Sequence, residues 1–160
     1  MTISVGDKIP SVELAVMGSD GPETINTDDI FSGKKVVLFA LPGAFTPTCS
    51  AAHLPGFVVH HDAIKAKGVD TIACLSVNDA WVMDAWGKAQ NVENTILMLA
   101  DGSGNFTNAV GLDVDLTARH FGVRSQRYSM IVEDGVVSHL NVEDGPVFEV
   151  SNAEKVLDLL

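Results

Sequence analysis

The sequence is poor in cysteine: only Cys49 and Cys74 occur among its 160 residues. Two cysteines do not make the disulfide framework of a small secreted protein, so we expect a reducing, cytoplasmic compartment. The first residues lack the basic and apolar parts of a secretory leader, in line with that expectation. No stretch approaches the roughly 18 unbroken apolar residues of a transmembrane helix, which argues against a membrane span.

Positive charge is also scarce. The chain carries 10 Lys and Arg residues against 21 Asp and Glu residues, and its formal net charge is −11 at pH 7. This argues against nucleic acid and anionic membrane surfaces as partners, since both call for basic stripes. The negative charge does not exclude a small neutral substrate. It would steer a partner protein with a cationic face towards the chain.

What the sequence does contain is a buried strand that leads through a tight turn into a helix. The apolar run from Val36 to Leu41 ends at a Pro-Gly pair that begins with Pro42. Thr46 suits the N-cap of the following helix and Pro47 its first position, which places Cys49 in the first turn. Free backbone N–H groups and the positive helix end both favour a thiolate there. We therefore interpret Cys49 as a nucleophile.

The remaining pattern alternates strands and helices over what we interpret as one α/β domain, residues 1–160. Strand–helix–strand–helix–strand, followed by a hairpin with an Asp-Gly turn and a last helix, predicts a mixed sheet with flanking helices. Residues 112–126 show no strong period and are predicted to be a loop with a turn. The predicted strands are 12–16, 36–41, 69–77, 96–100, 127–132 and 136–142; the predicted helices are 47–67 with an interruption at Pro55-Gly56, 79–89, 104–111 and, capped by Ser151, 153–160.

One motif carries a family resemblance. Pro42, Thr46 and Cys49 have the spacing Pro-x-x-x-Thr-x-x-Cys, and the segments PGAFTPTCS and HLPGF resemble the type II, peroxiredoxin-5-like, subfamily of the peroxiredoxins. The similarity runs from Gly6 to the last helix. It implies a thioredoxin-like fold and the reduction of hydrogen peroxide and alkyl hydroperoxides through a sulfenic acid on Cys49. It also implies no bound cofactor, with glutathione and glutaredoxin, or thioredoxin, as the reductant.

The resemblance assigns roles to three further positions. Pro42, on its own only a turn former, would shield the site from water. Thr46, on its own only a helix cap, would also bond the sulfur and the peroxide oxygen, because a hydroxyl both donates and accepts. Arg127, in the segment RSQRYSM, matches the active-site arginine of the family, although its pattern alone equally allows a solvated arginine at a strand end. We interpret Arg124 as a partner in a structural ion pair.

The second cysteine, Cys74, leaves two readings open. A cysteine in the middle of an apolar strand is usually inert core. The run CLSVNDAWVM, however, resembles the surroundings of a second cysteine in plant-like type II peroxiredoxins, where it would resolve Cys49. A disulfide needs Cα atoms within about 7 Å, so this role would require local unwinding of the helix. Otherwise the external thiol reduces Cys49 directly.

The histidines suggest two functions that we reject. His53 lies four residues after Cys49, but no Asn or Asp is placed to orient it, and cysteine proteases use a histidine distant in sequence. His60 and His61 are adjacent, so on a helix they point about 100° apart and make a poor chelate. We therefore predict neither a Cys–His protease nor a metal site.

The location of four aromatic and sulfur-containing side chains cannot be predicted from their spacing. The spacing of Phe45, Trp81, Met83 and Trp86 fits either the core or a subunit contact. The family resemblance implies a homodimer formed next to the active sites.

Two rival functions share the same cysteine. A dithiol–disulfide oxidoreductase would need a Cys-x-x-Cys motif, but position 46 is threonine. A redox-sensing or chaperone-like binding protein would oxidise Cys49 without turnover, and it remains the alternative to the thiol peroxidase.

Overall fold

The computed structural model describes residues 1–160 and contains one large sheet, one small sheet and short helices. No helix combines the length and the apolar composition that crossing a bilayer requires. The strands are β1 Glu13–Gly18, β2 Gly21–Asn26, β3 Lys35–Ala40, β4 Thr71–Ser76, β5 Leu97–Ala100, β6 Asp113–Asp115, β7 Val123–Ser125, β8 Tyr128–Glu133 and β9 Val136–Val142. The helices are α1 Thr27–Phe31, α2 Leu54–Val59, α3 His61–Ala66, α4 Ala80–Ala89, α5 Asn105–Ala109 and α6 Ala153–Leu159, with a π-helical turn at Cys49–His53 and a 3₁₀ turn at Thr117–Arg119.

The seven strands of the large sheet run in the order β2-β1-β5-β4-β3-β8-β9. β3, β4 and β5 are parallel, and the other neighbouring pairs are antiparallel. The central strands β3 and β4 are buried on both faces. Parallel strands covered by helices on both sides need continuous apolar runs, and these two strands have them. The predicted α/β class with a mixed sheet is confirmed.

Two apolar clusters fill the space on the two faces of this sheet. Alternate residues of β3 divide between them: Val37 and Phe39 belong to the first cluster, Val36 and Leu38 to the second. The first cluster lies under α2, α3, α4 and α6, and the second lies under α1 and α5. A fully buried aliphatic or aromatic side chain contributes roughly 1.5–3 kcal/mol, so both faces stabilise the strand that leads to Cys49.

The structure corrects the predictions for two polar stretches. Residues 21–26, which are absent from the predicted strands, form β2, and Asn26 then caps α1 by accepting from the N–H of Asp28. Residues 112–126 are not only loop: β6 and β7 pair as a small antiparallel sheet. Both strands of that sheet have three residues and β2 is largely exposed, so none carries an apolar period that the sequence could display.

The helix after Cys49 is irregular at a different place from the one predicted. Pro55-Gly56 lies inside α2, and the chain leaves helical geometry only at His60, before α3. The distortion comes one turn earlier, where the N–H of Leu54 bonds to the carbonyl of Cys49, five residues back. Proline lacks an N–H and its ring crowds the carbonyl four residues earlier, so a widened π-helical turn before Pro55 accommodates it.

The last helix is capped by a different residue from the one predicted. The side chain of Asn152, not Ser151, accepts the N–H of Lys155 and caps α6. The Ser151 hydroxyl instead donates to Glu143 at 2.6 Å. Ser and Asn are both good cap residues, so the sequence alone could not choose between neighbours.

Candidate active site

Cys49 lies in the first turn of the helical segment that follows β3. This segment begins where predicted, since the N–H of Ser50 bonds to the carbonyl of Thr46 at 2.9 Å. The Cys49 side chain is fully buried in the first apolar cluster. A buried sulfur that becomes a thiolate needs a nearby positive charge, because an unpaired buried charge is costly.

Arg127 supplies a positive group at this sulfur. It sits immediately before β8, and its Nη2 donates to Cys49 Sγ at 3.1 Å. β8 pairs antiparallel with β3, and Tyr128 pairs with Ala40, the last residue of β3. Arg127 therefore lies beside the C-terminal end of β3. The sheet therefore brings together two residues that are remote in sequence.

The second half of the guanidinium contacts His53, a residue to which the sequence analysis gave no role. Arg127 Nη1 lies 2.8 Å from His53 Nδ1, and His53 Nε2 lies 3.0 Å from the carbonyl oxygen of Ser151. The carbonyl can only accept, so Nε2 carries the proton and the neutral ring accepts from Arg127 at Nδ1. Burial and then the charge of Arg127 lower the pKa of His53 to about 3. The four-residue spacing from Cys49 was the only sequence signal for this residue.

Thr46 and Pro42 shape the turn ahead of Cys49. The Thr46 hydroxyl donates to the carbonyl of Gly43 at 2.7 Å, so its oxygen keeps free lone pairs. The carbonyl of Pro42 accepts from Arg124 Nη1 at 3.1 Å. Arg124 makes no ion pair, which corrects our interpretation: its Nε donates to the carbonyl of Phe121, and its guanidinium lies over that ring. Two backbone carbonyls take the place of the expected carboxylate.

Cys74 is a fixed part of the sheet. It lies in the middle of β4, opposite Phe39 on one side and Met98 on the other. It is fully buried in the same cluster as Cys49, and both cysteines are free. Burial, with a smaller contribution from the charge of Cys49, raises the pKa of Cys74 well above that of an ordinary thiol. Cys74 is therefore a protonated core thiol in this conformation.

The four side chains whose spacing fitted either the core or a subunit contact divide evenly between core and surface. Trp86 and Met83 are buried, and Trp86 Nε1 donates to the hydroxyl of Ser50 at 3.0 Å. Phe45 and Trp81 are more than half exposed, at 56% and 66%. The spacing did predict one helix for the tryptophans, and α4 carries both.

A groove of about 700 Å³ lies elsewhere, lined by residues of α3 and α4 and by residues 16–17, 70–72 and 91–98. It includes neither Cys49 nor Arg127. No three His, Cys, Asp or Glu side chains are grouped so that they could hold a metal ion. At the cysteine site the structure brings together a buried sulfur, a guanidinium and a neutral imidazole.

The chain is similar to known proteins in sequence and in fold. The Redoxin family model matches residues 4–157. Peroxiredoxin-2E, chloroplastic, from Arabidopsis thaliana is 45% identical over 99% of this chain and 70% of its own length. The crystal structure of reduced Prx3 in complex with H₂O₂ from Vibrio vulnificus is 56% identical, with a TM-score of 0.95 over 99% of both chains. Peroxiredoxin 5 from Alvinella pompejana is 35% identical, with a TM-score of 0.85 over 97% of this chain and 96% of its own.

These matches extend over nearly the whole chain. They confirm the thioredoxin-like fold, and they favour the thiol peroxidase over a protein that is oxidised without turnover. The chain belongs to the peroxiredoxins, in their type II subfamily, and is a thiol-dependent peroxidase.

Proposed function

We propose that Cys49 is the residue that attacks the peroxide and that Arg127 stabilises the charge in this step, with hydrogen peroxide and small alkyl hydroperoxides as substrates. The observation that carries the proposal is the 3.1 Å contact from Arg127 Nη2 to the buried Cys49 Sγ. A guanidinium stays charged and has several N–H donors, so it can serve both the thiolate and the departing oxygen.

The reaction balances with this set of groups. The Cys49 thiolate attacks one peroxide oxygen, an S–O bond forms and the O–O bond breaks. Sulfur loses two electrons and becomes a sulfenic acid, while the leaving oxygen departs as an alkoxide or hydroxide and takes a proton from solvent. The guanidinium is a fixed donor aimed at the developing negative charge, which is the larger source of rate.

Three neighbours support the pair. His53 accepts from Nη1 of Arg127 and so holds the guanidinium plane, because a neutral imidazole accepts without adding charge. The Thr46 oxygen, whose proton is directed at Gly43, can accept the O–H of a bound hydroperoxide. Pro42 is half-buried at the turn and excludes water from the sulfur.

The test is the rate at which one equivalent of hydrogen peroxide oxidises the reduced protein. Trp86 bonds to Ser50, next to Cys49, so stopped-flow tryptophan fluorescence reports the step. Cys49→Ser abolishes turnover, and Arg127→Ala slows oxidation by about 10²–10³-fold, the usual loss for one oxyanion donor. Arg119→Ala, which removes an exposed arginine, is the matched control and keeps the parent rate. A Cys49→Ser protein that consumes peroxide at the parent rate would end the proposal.

For regeneration we propose an external thiol, either glutathione with glutaredoxin or thioredoxin, and no bound cofactor. The absence of a Cys-x-x-Cys motif and the burial of Cys74 within β4 support this, since the chain then offers no ready internal partner. The low cysteine content supports a reducing, cytoplasmic location.

We further propose a homodimer whose contact lies next to the active sites. Phe45 and Phe121 are exposed apolar side chains. Phe45 lies in the turn between Pro42 and Thr46, and Phe121 is tied to that turn through Arg124. Apolar side chains gathered at one place on a surface are typical of an interface.

A further inference from the structure

A buried carboxylate organises the segment between β9 and α6. Glu143 is 5% exposed and follows β9 directly. Its Oε2 accepts the N–H groups of Glu149, Val150 and Ser151 at 3.0, 2.9 and 2.8 Å and the Ser151 hydroxyl at 2.6 Å. Its Oε1 accepts the N–H of Glu149 at 2.9 Å. We call residues 144–151 the Glu143 loop.

This loop has almost no other support. It contains no helix or strand, and apart from a turn at Gly145-Pro146 no backbone–backbone hydrogen bond involves residues 144–150. Bonds to a carboxylate are stronger than those to a neutral acceptor. Burial alone would raise the pKa of Glu143, but the hydrogen bonds from Ser151, Glu149 and Val150 outweigh it and lower the pKa. The ionised carboxylate is therefore what holds the loop in shape.

The Glu143 loop touches the active site at two points. The carbonyl of Ser151 is the acceptor that fixes the proton of His53 on Nε2. The ring of Phe148 lies 4.9 Å from the His53 ring, and the Arg127 guanidinium lies 5.7 Å from the Phe148 centroid. The backbone N–H of Glu143 also donates to the carbonyl of Arg127 at 2.9 Å.

We infer that Glu143 is a positioning residue for peroxide reduction. Its carboxylate fixes Ser151 and Phe148, these hold His53 and cover the guanidinium, and His53 in turn holds Arg127 against the sulfur. Glu143 touches neither substrate nor sulfur. The inference rests on the roles proposed above for Cys49 and Arg127.

The experiment compares Glu143→Ala and Glu143→Gln with Glu149→Gln. The control removes the same charge from the same loop, but the Glu149 side chain is exposed and only its backbone N–H bonds to Glu143. Stopped-flow oxidation by one equivalent of hydrogen peroxide gives the rate constant, and circular dichroism checks folding. We expect Glu143→Ala to slow oxidation by about ten- to a hundredfold, as misplacing a catalytic group by up to an ångström does. Glu143→Gln keeps one acceptor oxygen, so it should slow oxidation less than Glu143→Ala does.

A double-variant cycle separates positioning from a general loss of stability. His53→Leu removes the acceptor through which Glu143 is inferred to act. If Glu143 works through His53, adding Glu143→Gln to His53→Leu slows oxidation by less than about twofold beyond His53→Leu alone, whereas independent effects would multiply. The pH profile of the oxidation rate constant changes in both single variants and not in the Glu149→Gln control.

The outcomes divide cleanly. A folded Glu143→Ala protein with the parent rate, an equal loss in Glu149→Gln, or multiplicative effects in the cycle overturn the inference. If Glu143→Ala does not fold, Glu143→Gln and the cycle decide in the same way. If instead Arg127→Ala keeps the parent rate, the proposed function fails and not this inference alone.

Discussion

At the scale of single residues, the neutral state of His53 links the active site to the stability of the protein. The folded pKa is about 3, against about 6.5 for a free histidine. Between these values the unfolded chain binds more protons than the folded one. The unfolding free energy therefore falls as pH drops from 6.5 towards 3.

This gives a prediction for His53→Gln, which keeps a donor and an acceptor but cannot titrate. Lowering the pH from 7 to 5 destabilises the parent protein by about 2 kcal/mol more than the variant. The reason is that, over the roughly 1.5 pH units between 6.5 and 5, the unfolded chain binds a proton on the histidine and the folded chain does not. Urea unfolding at the two pH values measures the difference. His120→Asn removes an exposed histidine and should keep the parent dependence. Equal pH dependence in His53→Gln and the parent would contradict the assignment.

The site residues differ in how far the sequence could predict them. Cys49 follows from local signals, because turn, cap and helix start are contiguous. Arg127 could be chosen only by family resemblance, since its contact with Cys49 depends on the pairing of β8 with β3. His53 was overlooked because we judged it as a base for a protease, and its neutral state depends on burial and on the carbonyl of Ser151. Such long-range partners have no signature in the sequence near them.

At the scale of elements, β4 and the helical segment of Cys49 hold the two cysteines in separate places. Cys74 is paired on both sides, with β3 and with β5, so moving it would break two ladders. Its raised pKa also keeps it a thiol, which is a poor nucleophile. A disulfide would require the helical segment to unwind towards the sheet.

We therefore expect one equivalent of peroxide to add one oxygen to the protein, as a sulfenic acid on Cys49. Mass spectrometry of the intact chain measures this, and an internal disulfide would instead remove two hydrogens. Cys74→Ala is the matched variant: its turnover with an external thiol should equal that of the parent. A loss of two hydrogens that disappears in Cys74→Ala would establish Cys74 as the resolving cysteine.

The predictability of the elements follows their patterning. The hairpin of β8 and β9 and the helix α4 were predicted because an Asp-Gly turn and a helical spacing of apolar residues are local signals. Both elements appear: Asp134 and Gly135 have positive φ, and α4 begins after Asp79, whose side chain caps it. β2, β6 and β7 were missed because sheet neighbours, and not their own residues, determine them. The π-helical turn was missed because only its context before Pro55 distinguishes it from an α-helix.

At the scale of the whole molecule, the surface is strongly acidic and its few cations are partly engaged. Of the 10 Lys and Arg residues, Arg124 and Arg127 serve the active-site turn and the sulfur. Lys35 and Lys88 form ion pairs with Glu133 and Asp84. The net charge of −11 therefore leaves a negative field at the surface that a protein reductant meets before it reaches the buried sulfur.

This field predicts how regeneration depends on salt. A glutaredoxin or thioredoxin with a basic contact face is steered towards the oxidised protein, and 1 M salt shortens the Debye length from about 10 Å at 0.1 M to about 3 Å. We expect kcat/KM for such a protein reductant to fall by about tenfold between 10 mM and 1 M sodium chloride, at the lower end of the range for electrostatic steering. Dithiothreitol is the control: it reacts as a thiolate, which has the same sign of charge as the protein, so its rate should not fall as salt screens the surface. A kcat/KM for the protein reductant that does not change with salt would mean that the acidic surface takes no part in choosing the partner.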